Sequence, residues 1–253
     1  HYLTINAIAF AISPLIVDNI VASLGYPPVY VISSLLLVPL FFVLTTKIGT
    51  VAQEKFVRAN PLTGFFKIWK NKNILSIAST NLLLEIFYSI MVIYTPIYLH
   101  TSVGLPWDKI WIIFTIMLLP FVFFELPLGK LADRKLGEQE ILLAGLCFMS
   151  IATIGLSFIV SSSVALWAAA LFMTRTGASM VEIMSETYFF KHVHDSDADV
   201  ISFYRNARPI AYIVGPLLAT VALAMMPMQY LFAALGLLLL LGLYPALSLE
   251  DTL

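Results

Sequence analysis

Charged positions in this chain are spaced so widely that long apolar runs dominate its pattern. Asp18 is the only Asp, Glu, Lys or Arg before Lys47, and Glu85 is the only one between Lys72 and Asp108. None falls between Glu140 and Arg175, or between Arg208 and Glu250. A helix needs about 20 apolar residues, at about 1.5 Å rise each, to cross the hydrocarbon core of a bilayer. The runs therefore predict eight spans, at about 2–24, 28–46, 74–98, 107–128, 139–160, 164–190, 199–225 and 228–248. Barrel strands would alternate polar and apolar residues, and stretches such as Leu235–Leu243 do not. The expected class is an all-α, polytopic membrane protein. The segment from His1 has neither a basic start nor a small-residue cleavage site, and another span follows almost at once, so it is a span and not a signal peptide. It also lacks an initiator Met, which suggests a chain that starts inside a larger protein.

Composition agrees. Of 253 residues, 60% are hydrophobic and 11% charged, against about 25% charged in soluble domains. That excludes secreted disulfide scaffolds, disordered chains and cytosolic domains. A net charge of −1 gives no reason to expect nucleic acid. The lone Cys147 can form no internal disulfide. The basic residues set the orientation, since Lys and Arg concentrate in cytoplasmic loops. Lys47, Lys55, Arg58, Lys67, Lys70 and Lys72 lie between the second and third spans, Lys130, Arg134 and Lys135 between the fourth and fifth, and Lys191 after the sixth. The opposite side offers only Lys109. Both ends are then expected in the cytoplasm, with the protein in a plasma or bacterial inner membrane. The loop 47–73 holds Asn60-Pro61, a helix-start signal, followed by Leu62, Phe65, Phe66, Ile68 and Trp69 among lysines. It predicts a short amphipathic helix in the headgroup layer, or a linker with an aromatic anchor.

The first and seventh spans resemble each other at an offset of 202 residues. Ile8-Ala9-Phe10-Ala11-Ile12-Ser13-Pro14-Leu15-Ile16 lies over Ile210-Ala211-Tyr212-Ile213-Val214-Gly215-Pro216-Leu217-Leu218, with a small residue before Pro in both. Such a repeat has a unit of six spans, an arrangement found in one large class of secondary transporters. Residues 1–46 would then be the last two helices of a first six-helix half, 47–73 the loop between halves, and 74–253 the whole second half. Pro14, Gly215 and Pro216 are candidate kinks.

At the end of the fourth span stands Glu125-Leu126-Pro127-Leu128-Gly129-Lys130-Leu131-Ala132-Asp133-Arg134-Lys135-Leu136-Gly137. This resembles the loop signature of the major facilitator superfamily, Gly-x-Leu-Ala-Asp-Arg-x-Gly-Arg-Lys, often preceded by Glu-x-Pro. An extra residue, Leu136, shifts the second Gly, and Glu138 stands where the family often has a basic residue. Arg205 and Arg208 ahead of Gly215-Pro216 are similar to the family's Arg…Gly-Pro pattern. The resemblance implies alternating-access transport of a small solute. It also implies a cytoplasmic latch of Glu125, Gly129, Asp133 and Arg134 that steadies the outward-open state. On physical grounds, Gly129 permits close helix approach, Asp133 suits a helix N-terminus, and Arg134 can bridge carboxylates.

Ionisable residues within spans are costly and are functional candidates by default. Glu85 lies about eleven residues, or about 16 Å, from the basic end of its span, near the midplane. Asn81, Glu85, Tyr88 and Ser89 form one polar stripe. Arg175 is equally central, and Glu182 and Glu186 share its face nearer the surface. By the resemblance, these helices line the central cavity, so Asn81, Glu85, Tyr88 and Arg175 form the substrate or proton pathway. A plain Glu85–Arg175 ion pair between helices is the competing reading. Glu182 or Glu186 with Arg205 or Arg208 is expected as a pair at the cytoplasmic gate. No metalloprotease, nucleophile-elbow or phosphate-loop motif occurs. His192-Val193-His194 with Asp195, Asp197 and Asp199 reads as a capped loop, not a metal site. The expectation is a secondary transporter, not an enzyme. Its partners would be a small-molecule substrate, the lipid bilayer and the proton as the simplest coupling ion, with no cofactor, and it would be monomeric when complete. A channel, or a membrane sensor or enzyme on a helical scaffold, is the alternative.

Overall fold

Asn60 starts the ordered part of the long loop, because its side chain accepts from the Leu62 amide at 3.1 Å and Pro61 needs no amide partner in the first turn. This is seen in a computed structural model that describes residues 23–47, 60–134, 137–194 and 197–250, with scattered positions between 9 and 21. Its helices are α1 (Pro27–Lys47), α2 (Pro61–Lys70), α3 (Lys72–Thr101), α4 (Trp107–Arg134), α5 (Glu138–Leu156), α6 (Val164–His192), α7 (Ala198–Arg205), α8 (Ala207–Met225), α9 (Gln229–Leu240) and α10 (Leu243–Leu247). Among the described residues, seven stretches are long and apolar enough to cross a membrane: α1, α3, α4, α5, α6, α7 with α8, and α9 with α10. The predicted span 2–24 lies largely outside the described residues.

Three boundaries differ from the hydropathy reading. The predicted span 107–128 continues as α4 to Arg134, so Gly129–Arg134 ride on a helix end and not in a loop. Nothing between Leu128 and Arg134 breaks a helix, and hydropathy reports only where charge begins. The predicted span 199–225 divides at Asn206 into α7 and α8. Pro209 sits in the first turn of α8, where its missing amide costs no helical bond. The predicted span 228–248 divides at Leu241–Gly242, shortly before Pro245.

With α7 and α8, and α9 and α10, each taken as one span, the spans from α3 onward alternate in direction, and α6 packs against α5, α4 and α3. Lipid supplies no hydrophobic drive between helices, so close backbone approach and dispersion hold them together. A Cβ at Gly177 on α6 would lie 2.8 Å from Met149 Cα on α5, and one at Gly145 would lie 2.8 Å from Met180 Cβ. One end of the bundle is stitched by polar contacts. Ser76 and Ser248 hydroxyls lie 2.8 Å apart, Gln139 Nε2 donates to the Ala246 carbonyl at 3.1 Å, and Lys191 pairs with buried Glu138. At the other end Tyr98 packs edge-on to Trp167 and Phe232. By contrast, α1 buries none of its apolar stretch.

α2 docks on α7 through one face. Ile68 is buried, Gly64 lies against the Asp199 backbone, and the Phe65 and Phe203 rings are 5.5 Å apart. The Asn60 amide donates to Asp199 Oδ1, and Lys67 Nζ lies 3.5 Å from Asp199 Oδ2 and 3.8 Å from Asp197 Oδ1. Asp197 makes no capping bond of its own. Both aspartates, read from sequence as helix caps, bind the inter-span helix.

Candidate functional site

The polar stripe of α3 faces two different neighbours. Glu85 and Tyr88, three residues apart, are separated by about 60° around the helix axis. Tyr88 turns to α6, where its hydroxyl donates to Glu182 Oε2 at 2.6 Å. Glu85 turns to α8, where its Oε2 lies 3.9 Å from Arg208 Nε. The Glu85–Arg175 ion pair read from depth alone is not formed. Arg175 is only 2% exposed, and its guanidinium carbon lies 5.0 Å from the Tyr88 ring centroid and 5.2 Å from that of Phe87. Asn81 and Ser89 are buried on the same helix. A Cβ at Gly215 would come within 2.6 Å of Ser89 Oγ, so this glycine admits α8 close against α3. Pro216 follows inside α8, where it removes one helical donor, and Tyr94 donates to its carbonyl at 3.4 Å.

Sequence depth separated a central group from a gate group, and the structure joins them. Glu182 was assigned to the gate, yet it bonds Tyr88; Arg208 was assigned there too, yet it faces Glu85. The reason is helix length. With α3 starting at Lys72 and α6 ending at His192, Glu85 and Glu182 lie about 20 and 15 Å from those ends, at comparable depth. No ion pair joins Glu182 or Glu186 to Arg205 or Arg208. Exposed Arg205 instead places its guanidinium carbon 5.8 Å from the Phe190 ring centroid, and Glu186 is half-buried.

For the latch, the side chains of Glu125, Asp133 and Arg134 lie outside the described residues, as does Pro14. Gly129 is described, and among the described residues nothing lies within 4 Å of where its Cβ would stand. The close helix approaches seen among the described residues are at Gly145, Gly177 and Gly215. Phe87 was missed as part of the site, because nothing distinguishes it among 18 phenylalanines until Arg175 stacks on it. Among the described residues no group of His, Cys, Asp and Glu could hold a metal ion.

Charged and hydrogen-bonding groups thus converge from α3, α6 and α8, with those of α3 and α6 within the apolar bundle and Arg208 of α8 exposed beside it. The sequence matches the profile of the Major Facilitator Superfamily over residues 1–208 and, in an overlapping placement, over 110–252. The chain belongs to the Major Facilitator Superfamily. No curated protein matches it. As a Major Facilitator Superfamily member it is a multi-pass membrane transporter of a small molecule, and members of this family are typically not enzymes. Transport asks its residues for reversible binding and release. The Glu85–Arg208 and Tyr88–Glu182 contacts each link side chains of two helices.

Proposed function

We propose that this superfamily member is a proton-coupled secondary carrier working by alternating access, with Glu85 as the coupling group. Asn81, Tyr88 and Arg175 line the solute route beside it. The observation that supports this reading most directly is the Glu85–Arg208 contact between α3 and α8. A carboxyl at that depth can exchange between a protonated and an ion-paired state as the two helices separate and close. Such an exchange links proton movement to conformation, because each form favours a different helix arrangement.

In the same reading, residues 1–46 are the last two helices of a first half, 47–73 the connecting loop and 74–253 the second half. The loops rich in Lys and Arg are cytoplasmic. Glu125, Gly129, Asp133 and Arg134, on and near the last turns of α4, act at the cytoplasmic gate, with Glu186 and Arg205 nearby. The carrier is a monomer in a plasma or bacterial inner membrane.

The test is transport by Glu85→Gln in proteoliposomes. Uptake should lose its dependence on a pH gradient while counterflow exchange of solute remains measurable. Retention of gradient-driven uptake in the folded variant would remove Glu85 from coupling. Should Glu85→Gln unfold, joint replacement of Glu85 and Arg208 by apolar residues separates the roles: recovery of the fold identifies the pair as structural.

A further inference from the structure

Among the described residues, Arg175 is a buried arginine whose charge meets no fixed counterion. It is 2% exposed, and its Nε and Nη2 have no hydrogen-bond partner. Among the described residues no carboxylate forms a hydrogen bond with either atom. Glu182 Oε2 is taken by Tyr88 and Glu85 faces Arg208. An unpaired guanidinium in a low-dielectric interior costs several kcal/mol. A sequence that keeps one there is spending stability on something other than the fold.

The unpartnered atoms identify the missing partner. Nε–H and the adjacent Nη2–H lie along one edge of the guanidinium and point the same way. They form the fork that takes the two oxygens of a carboxylate or phosphate side by side. The Phe87 and Tyr88 rings, at 5.2 and 5.0 Å, pack against the group by cation–π contact and leave that edge unbonded. The aromatics hold the guanidinium in place without neutralising it.

The geometry points to an oxyanion as the transported species, gripped in two-point fashion by the Nε–Nη2 edge of Arg175. This rests on the assignment of Arg175 to the solute route and adds the chemical class of the solute. Because Arg175 is buried, the anion reaches it only when α3 and α6 part, so binding and helix movement are linked. A neutral solute can accept hydrogen bonds from this edge but brings no charge to neutralise the guanidinium, so it gains less from the site.

Equilibrium binding tests this without any transport cycle. The full-length protein in detergent is titrated calorimetrically with benzoate, succinate and inorganic phosphate, and with benzamide and succinamide as neutral counterparts. Binding of at least one anion and of neither amide is expected. Arg175→Gln should weaken the anion by roughly thirtyfold or more. Arg175→Lys, which keeps the charge but loses the fork, should weaken it nearly as far. Carboxylates and phosphate are distinguished by which anion binds. Binding of no anion, equal binding of the amides, or unchanged affinity in Arg175→Lys would each overturn the proposal. If Arg175→Gln does not fold, the wild-type comparison and Arg175→Lys still decide. Binding does not depend on a gradient, so a failure here leaves proton coupling through Glu85 standing, and a failure of coupling leaves anion binding standing.

Discussion

Gly215 and Gly129 both lack a side chain, but among the described residues their surroundings differ. At Gly215 a methyl group would meet Ser89 Oγ at 2.6 Å and Ser89 Cβ at 3.0 Å, and Ser89 is fully buried. Gly215→Ala must therefore push α8 from α3, at a cost of about 1–3 kcal/mol for overpacking. Thermal unfolding in detergent should show a clear loss for Gly215→Ala, partly recovered by adding Ser89→Ala. Gly129→Ala, with open space among the described residues, should show none, and its helix propensity favours Ala by up to about 1 kcal/mol. Equal losses at the two positions would contradict this packing. Sequence could not rank them, since Gly129 sits in a family motif and Gly215 beside a proline. Only the partner across the helix interface separates them.

α2 is held more by fit and by one backbone bond than by its lysines. Gly64 allows contact with the Asp199 backbone, and the Asn60 amide donates to the Asp199 carboxylate, whose side chain is 17% exposed. Hydrogen bonds to a charged acceptor contribute about 1.5–3 kcal/mol, whereas half-exposed ion pairs such as Lys67–Asp197 contribute at most about 1 kcal/mol. Limited trypsin digestion can resolve this. Gly64→Leu and Asp199→Ala should speed cleavage after Lys70, while Lys67→Ala should leave that cleavage near the wild-type rate. If Gly64→Leu is cut no faster, α2 is not held by this contact. The helix itself was legible from Asn60-Pro61, because capping is local. Its docking site was not, because Asp199 is 139 residues away in the chain.

The alternation of helices places α2, Gly137 and His194 at one end of the bundle and the turns at 102–106, 157–163 and 226–228 at the other. If the basic end is cytoplasmic, a membrane-impermeant maleimide on intact cells should label Ser162→Cys and not Lys70→Cys, both in a Cys147→Ala background. The reverse pattern would invert the orientation and move the α4 motif to the outer face. Charge bias gives this expectation its sign, since Lys and Arg resist translocation. The fold supplies only the grouping of the loops.

Type and order of the described spans were readable from the chain because a bilayer imposes one length and one backbone solution on every crossing. Wherever charge vanished for about 20 residues, a helix had to follow. The family was readable for a similar reason, as Gly129, Asp133 and Arg134 recur at spacings that survive without knowledge of neighbours. Distance from a helix end was less readable, because helix ends run past the apolar stretch, as α4 and α6 do. Direction around the helix was not readable. Glu85 and Tyr88 sit on one stripe, yet three residues of rotation send one to Arg208 and the other to Glu182. The competing reading paired Arg175 with Glu85, yet it meets Phe87 and Tyr88, because its neighbours depend on how closely α3, α6 and α8 pack. That packing is set by glycines whose role exists only once the opposing helix is in place.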